Sequence, residues 1–114
     1  MKPVGPYTPI VQAGSLYFVS GQIGIEHDSG KLVDGIAAQT QQVMNNLASV
    51  LNEAGLSVEN IVKTTIYLKD ISDYDLVNEI YAEGMRGNKP ARAAFAVAGL
   101  PKSALIEIEA VATK

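Results

Sequence analysis

Arg92, Glu107 and Glu109 are the side chains whose types and spacing could do chemistry together. A guanidinium offers two parallel N–H donors in a fixed fork that matches a carboxylate. A carboxylate can orient a water and take or return its proton. Strand alternation over 91–98 puts Arg92, Ala94, Ala96 and Ala98 on one face and Ala93, Phe95 and Val97 on the other. Over 105–112, Leu105, Glu107, Glu109 and Val111 share a face, opposite Ile106, Ile108, Ala110 and Ala112. The larger Phe95 and Val97 are expected to face the core, leaving Arg92 on the opposite side with both glutamates. The bland alternatives are a solvated sheet face or a structural Arg92–Glu107 ion pair. Against full solvation, that face would also carry Ala94, Ala96, Ala98, Leu105 and Val111, a composition that suits a subunit interface.

Other chemistries find little support. With no cysteine there is no disulfide, no thiolate metal site and no thiol nucleophile. The single histidine, His27, lies in a polar stretch with Asp28 and Gly30 and has no second ligand at metal spacing. Nine scattered basic residues against twelve acidic ones give a net charge of −3, which opposes a nucleic-acid partner. Met1, Lys2 and Pro3 are followed by no apolar stretch, and the longest apolar run, Ala93–Leu100, is too short to span a bilayer. The expectation is a cytoplasmic protein with no membrane partner, folded as one domain over 1–114.

The elements that must position these residues follow from periodicity. Pro6 and Pro9 keep the start extended, a short strand at 10–12 turns through Ala13-Gly14-Ser15, and a second strand covers 16–20. Glu26 to Lys31 reads as a loop turning at Asp28-Ser29-Gly30. Asp34 is placed to cap a helix over 35–54, with Ile36, Val43, Leu47, Val50, Leu51 and Ala54 as its apolar stripe, Gln39, Gln42, Asn46 and Glu53 off it, and Gly55 as C-cap. After a turn at 57–60, Val62, Thr64, Ile66 and Leu68 alternate with polar neighbours as a strand. Ser72 with Asp75 suggests a capping box for a second helix, with Leu76, Val77, Ile80 and Tyr81 apolar and Gly84 at its end. Strands over 91–98 and 105–112 complete a β-β-α-β-α-β-β order. An α+β fold follows, one mixed sheet with two helices on one face.

The motifs resemble those of the RidA (YjgF) family. Pro90-Ala91-Arg92, Leu100-Pro101-Lys102 and Ile106-Glu107-Ile108-Glu109-Ala110-Val111-Ala112 look like its C-terminal signature. Gly5-Pro6-Tyr7, Ser20-Gly21-Gln22-Ile23, Ile61-Val62-Lys63-Thr64-Thr65 and Leu68-Lys69-Asp70 are similar to its earlier motifs, so the likeness runs along almost the whole chain. It implies a chorismate-mutase-like fold and a homotrimer with active sites in clefts between subunits. It implies that Arg92 is the family's signature arginine and Glu107 its water-positioning glutamate. It further implies that Tyr7, Ser20 and Gly21 line the cleft, with Asn78 a helix asparagine and Ala94 a backbone contact. Ala93 and Ala94 stand where many members have Ser and Cys, and Met85 where an aromatic is common.

The activity so implied is hydrolysis of 2-imino acids to 2-keto acids and ammonia, with no metal or organic cofactor. Arg92 would hold the substrate carboxylate and Glu107 would manage the water. Two other readings remain open: a trimeric ligand-binding or chaperone-like protein without turnover, and RNA cleavage or translation inhibition. The acidic balance and the lone histidine oppose the second.

Overall fold

The computed structural model describes residues 5–114, so Met1, Lys2 and Pro3 lie outside the described part. Five strands form one sheet: β1 (Ile10–Ala13), β2 (Leu16–Ile23), β3 (Ile61–Leu68), β4 (Ala91–Ala96) and β5 (Ile106–Thr113). Helix α1 (Ile36–Glu53) follows β2, and α2 (Tyr74–Gly84) follows β3. The expected element order holds, with short 3-10 turns at Val58–Asn60, Ile71–Asp73 and Pro101–Ser103 added between elements. Across the sheet the strands run β1-β2-β5-β3-β4, all neighbours antiparallel except the parallel pair β3 and β4. The mixed sheet follows from α2, whose crossover returns the chain alongside β3 in the same direction.

The core lies between the helices and one face of the sheet. Leu47 and Leu51 of α1 and Val77 and Tyr81 of α2 pack on Ile66, Leu68, Ile106 and Ile108. On β3 a bulge between Ile61 and Lys63 sets the core face as Ile61, Thr64, Ile66 and Leu68, and it turns Val62 outward. Leu76, expected in the α2 stripe, is also exposed.

Several expected caps are replaced. Helix α1 starts at Gly35 (φ +87°) with no side-chain cap, so Asp34 does not serve. Its end is as expected: Gly55 (φ +77°) takes the left-handed position. Its N–H donates to Asn52 and that of Leu56 to Leu51, a Schellman closure. Before α2 the cap is Asp70, whose carboxylate accepts from the Ser72 N–H at 2.9 Å and the Ser72 hydroxyl at 2.7 Å. Ser72 is therefore the capped partner, not the cap. Gly84 is the last residue of α2, and a Cβ there would lie 2.8 Å from Met44 Cε of α1. Close helix packing, not a turn, requires glycine at this position.

Three polar residues of α1 are deeply buried: Thr40, whose hydroxyl donates to the Ile36 carbonyl at 2.7 Å, and the amides Gln39 and Asn46. Gln39 donates to the Val33 carbonyl at 3.0 Å and accepts from the Leu105 N–H at 2.8 Å. Asn46 donates to the carbonyls of Ile23 and Ile25 at 3.1 and 3.0 Å. Each amide pairs with two backbone groups, which is what makes its burial tolerable. These contacts fix the end of β2 and the start of β5, the segments that carry Gly21 and Glu107.

Candidate active site

Arg92 stands on β4, the edge strand, and its direction differs from the sequence expectation. In the parallel pairing, Arg92 lies beside Thr64, Ala94 beside Ile66, and Ala96 beside Leu68. Side chains paired in register share a face, and Thr64, Ile66 and Leu68 face the helices. Arg92 and Ala94 therefore lie on the helix side, and Ala94 packs against the core. Phe95 points the other way and is 45% exposed. The size rule fails here because the parallel register with β3, not side-chain size, decides which face each β4 residue takes.

Helix α2 receives that side chain. Tyr74, Asn78 and Tyr81 recur at i, i+4 and i+7 and so share one helix face. Arg92 donates through Nη1 to Asn78 Oδ1 at 2.8 Å and through Nη2 to the Tyr74 hydroxyl at 2.9 Å. Its guanidinium carbon lies 5.2 Å from the Tyr81 ring centroid and 5.6 Å from that of Tyr74. Tyr81 is itself fixed by a 2.7 Å hydrogen bond with Thr64 Oγ1, and burial raises its pKa. These two bonds use two of the five guanidinium N–H donors and hold its plane, leaving the rest for an anion. A hollow of about 290 Å³ opens beside it. Tyr74 and Tyr81 were not among the expected site residues; their helical spacing with Asn78 was the available signal.

Ala94 offers only its backbone on this strand. The Val97 N–H donates to Leu68 at 2.8 Å, so alternate residues Ala93 and Phe95 turn their amides toward β3. The N–H of Ala94 then points off the free edge of the sheet.

Glu107 lies on the opposite, open face. Its β3 neighbour in register is Tyr67, whose ring meets Phe95 edge-on at 5.4 Å. A bulge in β2 between Val19 and Gln22 contains Ser20 and Gly21. A Cβ on Gly21 would lie 2.8 Å from Glu107 Cδ, so only glycine lets the carboxylate occupy that place. Gly21 and Glu107 thus form one unit. Ser20 donates its hydroxyl to the Thr8 carbonyl at 2.6 Å and tethers the segment that carries Tyr7, which is 41% exposed.

Arg92 and Glu107 do not meet within one chain. They stand on opposite faces, with β3 between their strands and three β3 residues, about 10 Å, between their registers. The expected shared face and the intramolecular ion pair are both corrected.

A family model described as Endoribonuclease L-PSP matches residues 1–114. The chain belongs to this family, the RidA/YjgF proteins. It is 47% identical over 114 residues to a RutC family protein of Pyrococcus horikoshii, covering 99% of this chain and 90% of the relative. It is 47% identical over 110 residues to the human 2-iminobutanoate/2-iminopropanoate deaminase, covering 96% of this chain and 80% of that protein. The crystal structure of RidA from an Antarctic Psychrobacter superposes with a TM-score of 0.96 at 35% identity, covering 99% of this chain and 92% of that one. The α+β fold expected from the motifs is that of these RidA/YjgF neighbours.

The two glutamates of this RidA-family chain have different surroundings. Glu109 is exposed and accepts from the Tyr67 hydroxyl at 2.9 Å. Glu107 is half-buried, and burial first, then repulsion from Glu109, raises its carboxyl pKa. An ionised Glu107 would be needed to take a proton, so the acid limb of a pH–rate profile should lie above the ordinary carboxylate range. Glu109→Gln removes the repulsion, lowers the Glu107 pKa and moves that limb toward lower pH. Burial, the larger cause, remains, so the shift is partial. A kcat/KM profile from pH 4 to 8 measures it, and an unmoved limb in Glu109→Gln refutes the coupling.

The open face also carries exposed Val11, Leu16, Phe18 and Phe95. Val11, Phe18 and Val111 form a continuous row across β1, β2 and β5. The exposed apolar surface on this face is built from these residues and not from Ala94, Ala96 and Ala98. No helix among the described residues is long and apolar enough to cross a membrane.

Proposed function

We propose that this protein hydrolyses 2-imino acids such as 2-iminobutanoate and 2-iminopropanoate to 2-keto acids and ammonia, as a cofactor-independent homotrimer of the cytoplasm. The observation that carries the reading is the Arg92 fork, held by Asn78 and Tyr74 over Tyr81 and facing a small open hollow. That is a preorganised seat for a carboxylate. The human relative's name describes the same reaction.

In this scheme the substrate carboxylate lies on Arg92, with the outward N–H of Ala94 as a further donor. Glu107 orients a water against the C=N carbon and takes its proton. The tetrahedral adduct then collapses to the ketone, returning a proton to nitrogen so that ammonia leaves. Arg92 and Glu107 face opposite ways in one chain, so a small substrate can meet both only when two copies combine. One copy supplies Arg92 with Asn78 and Ala94; the next supplies Glu107 with Ser20, Gly21 and Tyr7. The exposed apolar row across β1, β2 and β5 is suited to bury the contact.

The test is to generate 2-iminobutanoate in situ and follow its loss with and without the protein. Acceleration is expected; binding of 2-oxobutanoate without acceleration would favour a ligand-binding protein instead. Light scattering at micromolar concentration should report three subunits. Phe18→Asp, which puts a charge in the apolar row, should shift the protein toward monomer and abolish activity with it. An active monomer would overturn the shared site.

A further inference from the structure

The hollow beside Arg92 contains a second cation that the reaction does not require. It is lined by Arg92, Lys89, Asn78, Asn88 and Tyr81 among others, and no carboxylate contributes to it, although the chain as a whole is acidic. Pro90 disfavours helical backbone at Lys89, just ahead of β4. Asn88 fixes the same segment from the other side, donating to the carbonyls of Val58 at 3.0 Å and Ile61 at 2.9 Å. The Lys89 backbone is therefore anchored on both sides, while its ammonium has no hydrogen-bond or ion-pair partner among the described residues. At about 290 Å³ the hollow holds a small molecule and little more.

Resting on the imine-deaminase reading above, we propose that Lys89 is a specificity residue that favours 2-imino acids carrying a second, distal carboxylate. The α-carboxylate takes the Arg92 fork, where two parallel donors match its plane. The distal carboxylate extends into the hollow toward Lys89, whose flexible stem and point charge accept varied chain lengths. Substrates with short apolar side chains leave Lys89 in water and are handled by Arg92 alone. Lys89 touches neither the imine carbon nor the attacking water, so its effect is on substrate choice.

The experiment compares kcat/KM for the imines of aspartate and glutamate with that for 2-iminobutanoate, each generated in situ, in wild type, Lys89→Met and Lys89→Arg. Because Lys89 is exposed, its pairing is partly screened, and Lys89→Met should lower kcat/KM on the dicarboxylic imines about three- to tenfold. On 2-iminobutanoate the same change should stay within about twofold, since only a distant charge is lost. Lys89→Arg should keep most of the preference. An equal fall on both classes, or none on either, overturns the proposal, as does a wild type that turns over 2-iminobutanoate but is inert toward dicarboxylic imines. Calorimetric binding of 2-oxoglutarate against 2-oxobutanoate separates this from the reaction itself. A Lys89-dependent preference for 2-oxoglutarate without any turnover would sink the deaminase reading and leave the Lys89 contact standing.

Discussion

Replacing Arg92 by alanine is expected to abolish turnover of 2-iminobutanoate while the fold persists. Removing a charged bidentate partner from a partly desolvated site costs about 2–5 kcal/mol, a loss of roughly 30- to 5,000-fold in kcat/KM. The fold should survive because Arg92 lies at the sheet edge, and its partners Asn78 and Tyr74 can both turn to water when it is gone. Arg92→Lys should rescue poorly. An ammonium cannot accommodate Asn78, the Tyr74 hydroxyl and a planar carboxylate at once. The measurement is in-situ imine loss together with circular dichroism and a melting curve. Near-wild-type turnover in Arg92→Ala, with the fold intact, would falsify the carboxylate-anchor role.

What was legible in the sequence follows from which signals are local. Helix α1 was readable from its apolar period and from Gly55, because both act within a few residues. The faces of β5 were readable because Ile106, Ile108 and Ala110 alternate strictly with two glutamates. On β4 the same method failed, for a physical reason. Every residue over 91–98 is alanine except Arg92, Phe95 and Val97, so size alone decides in the sequence, and size puts Phe95 and Val97 inside. The parallel register with Thr64 and Ile66 decides otherwise, and register is a non-local property. Phe95 faces outward with Tyr67, on the surface that the homotrimer would cover.

The candidate site residues divide in the same way. Arg92, Glu107, Gly21 and Asn78 could be named from motifs, yet their grouping could not. Asn78 belongs with Arg92, and Gly21 with Glu107, on opposite faces. Tyr74 was missed because a tyrosine at the start of a helix reads as surface, and only the arrival of Arg92 gives its hydroxyl a partner. Gln39 and Asn46 read as polar flank positions of α1, whereas both amides are buried on distant backbone groups, at the end of β2 and just before β5.

Glu107→Gln is the other large expected effect, and it separates catalysis from binding. Sequence alternation leaves Glu107 and Glu109 equivalent, two residues apart on one face. The structure distinguishes them: Glu107 is half-buried against Gly21, while Glu109 is exposed and tied to Tyr67. Glutamine keeps the size and the hydrogen-bonding capacity of Glu107 but cannot take a proton. If Glu107 handles the attacking water, kcat should fall by roughly 10²–10⁴. Binding of unreactive 2-oxobutanoate should change little, because its carboxylate still meets Arg92. Glu109→Gln should alter the acid limb of the profile and leave kcat near neutral pH almost unchanged. The reverse result, with turnover kept in Glu107→Gln and lost in Glu109→Gln, would transfer the role to the other carboxylate. If both variants turn over normally, the water must be positioned by backbone groups and Arg92 alone. The raised pKa of Glu107 would then reflect only its burial and the repulsion from Glu109.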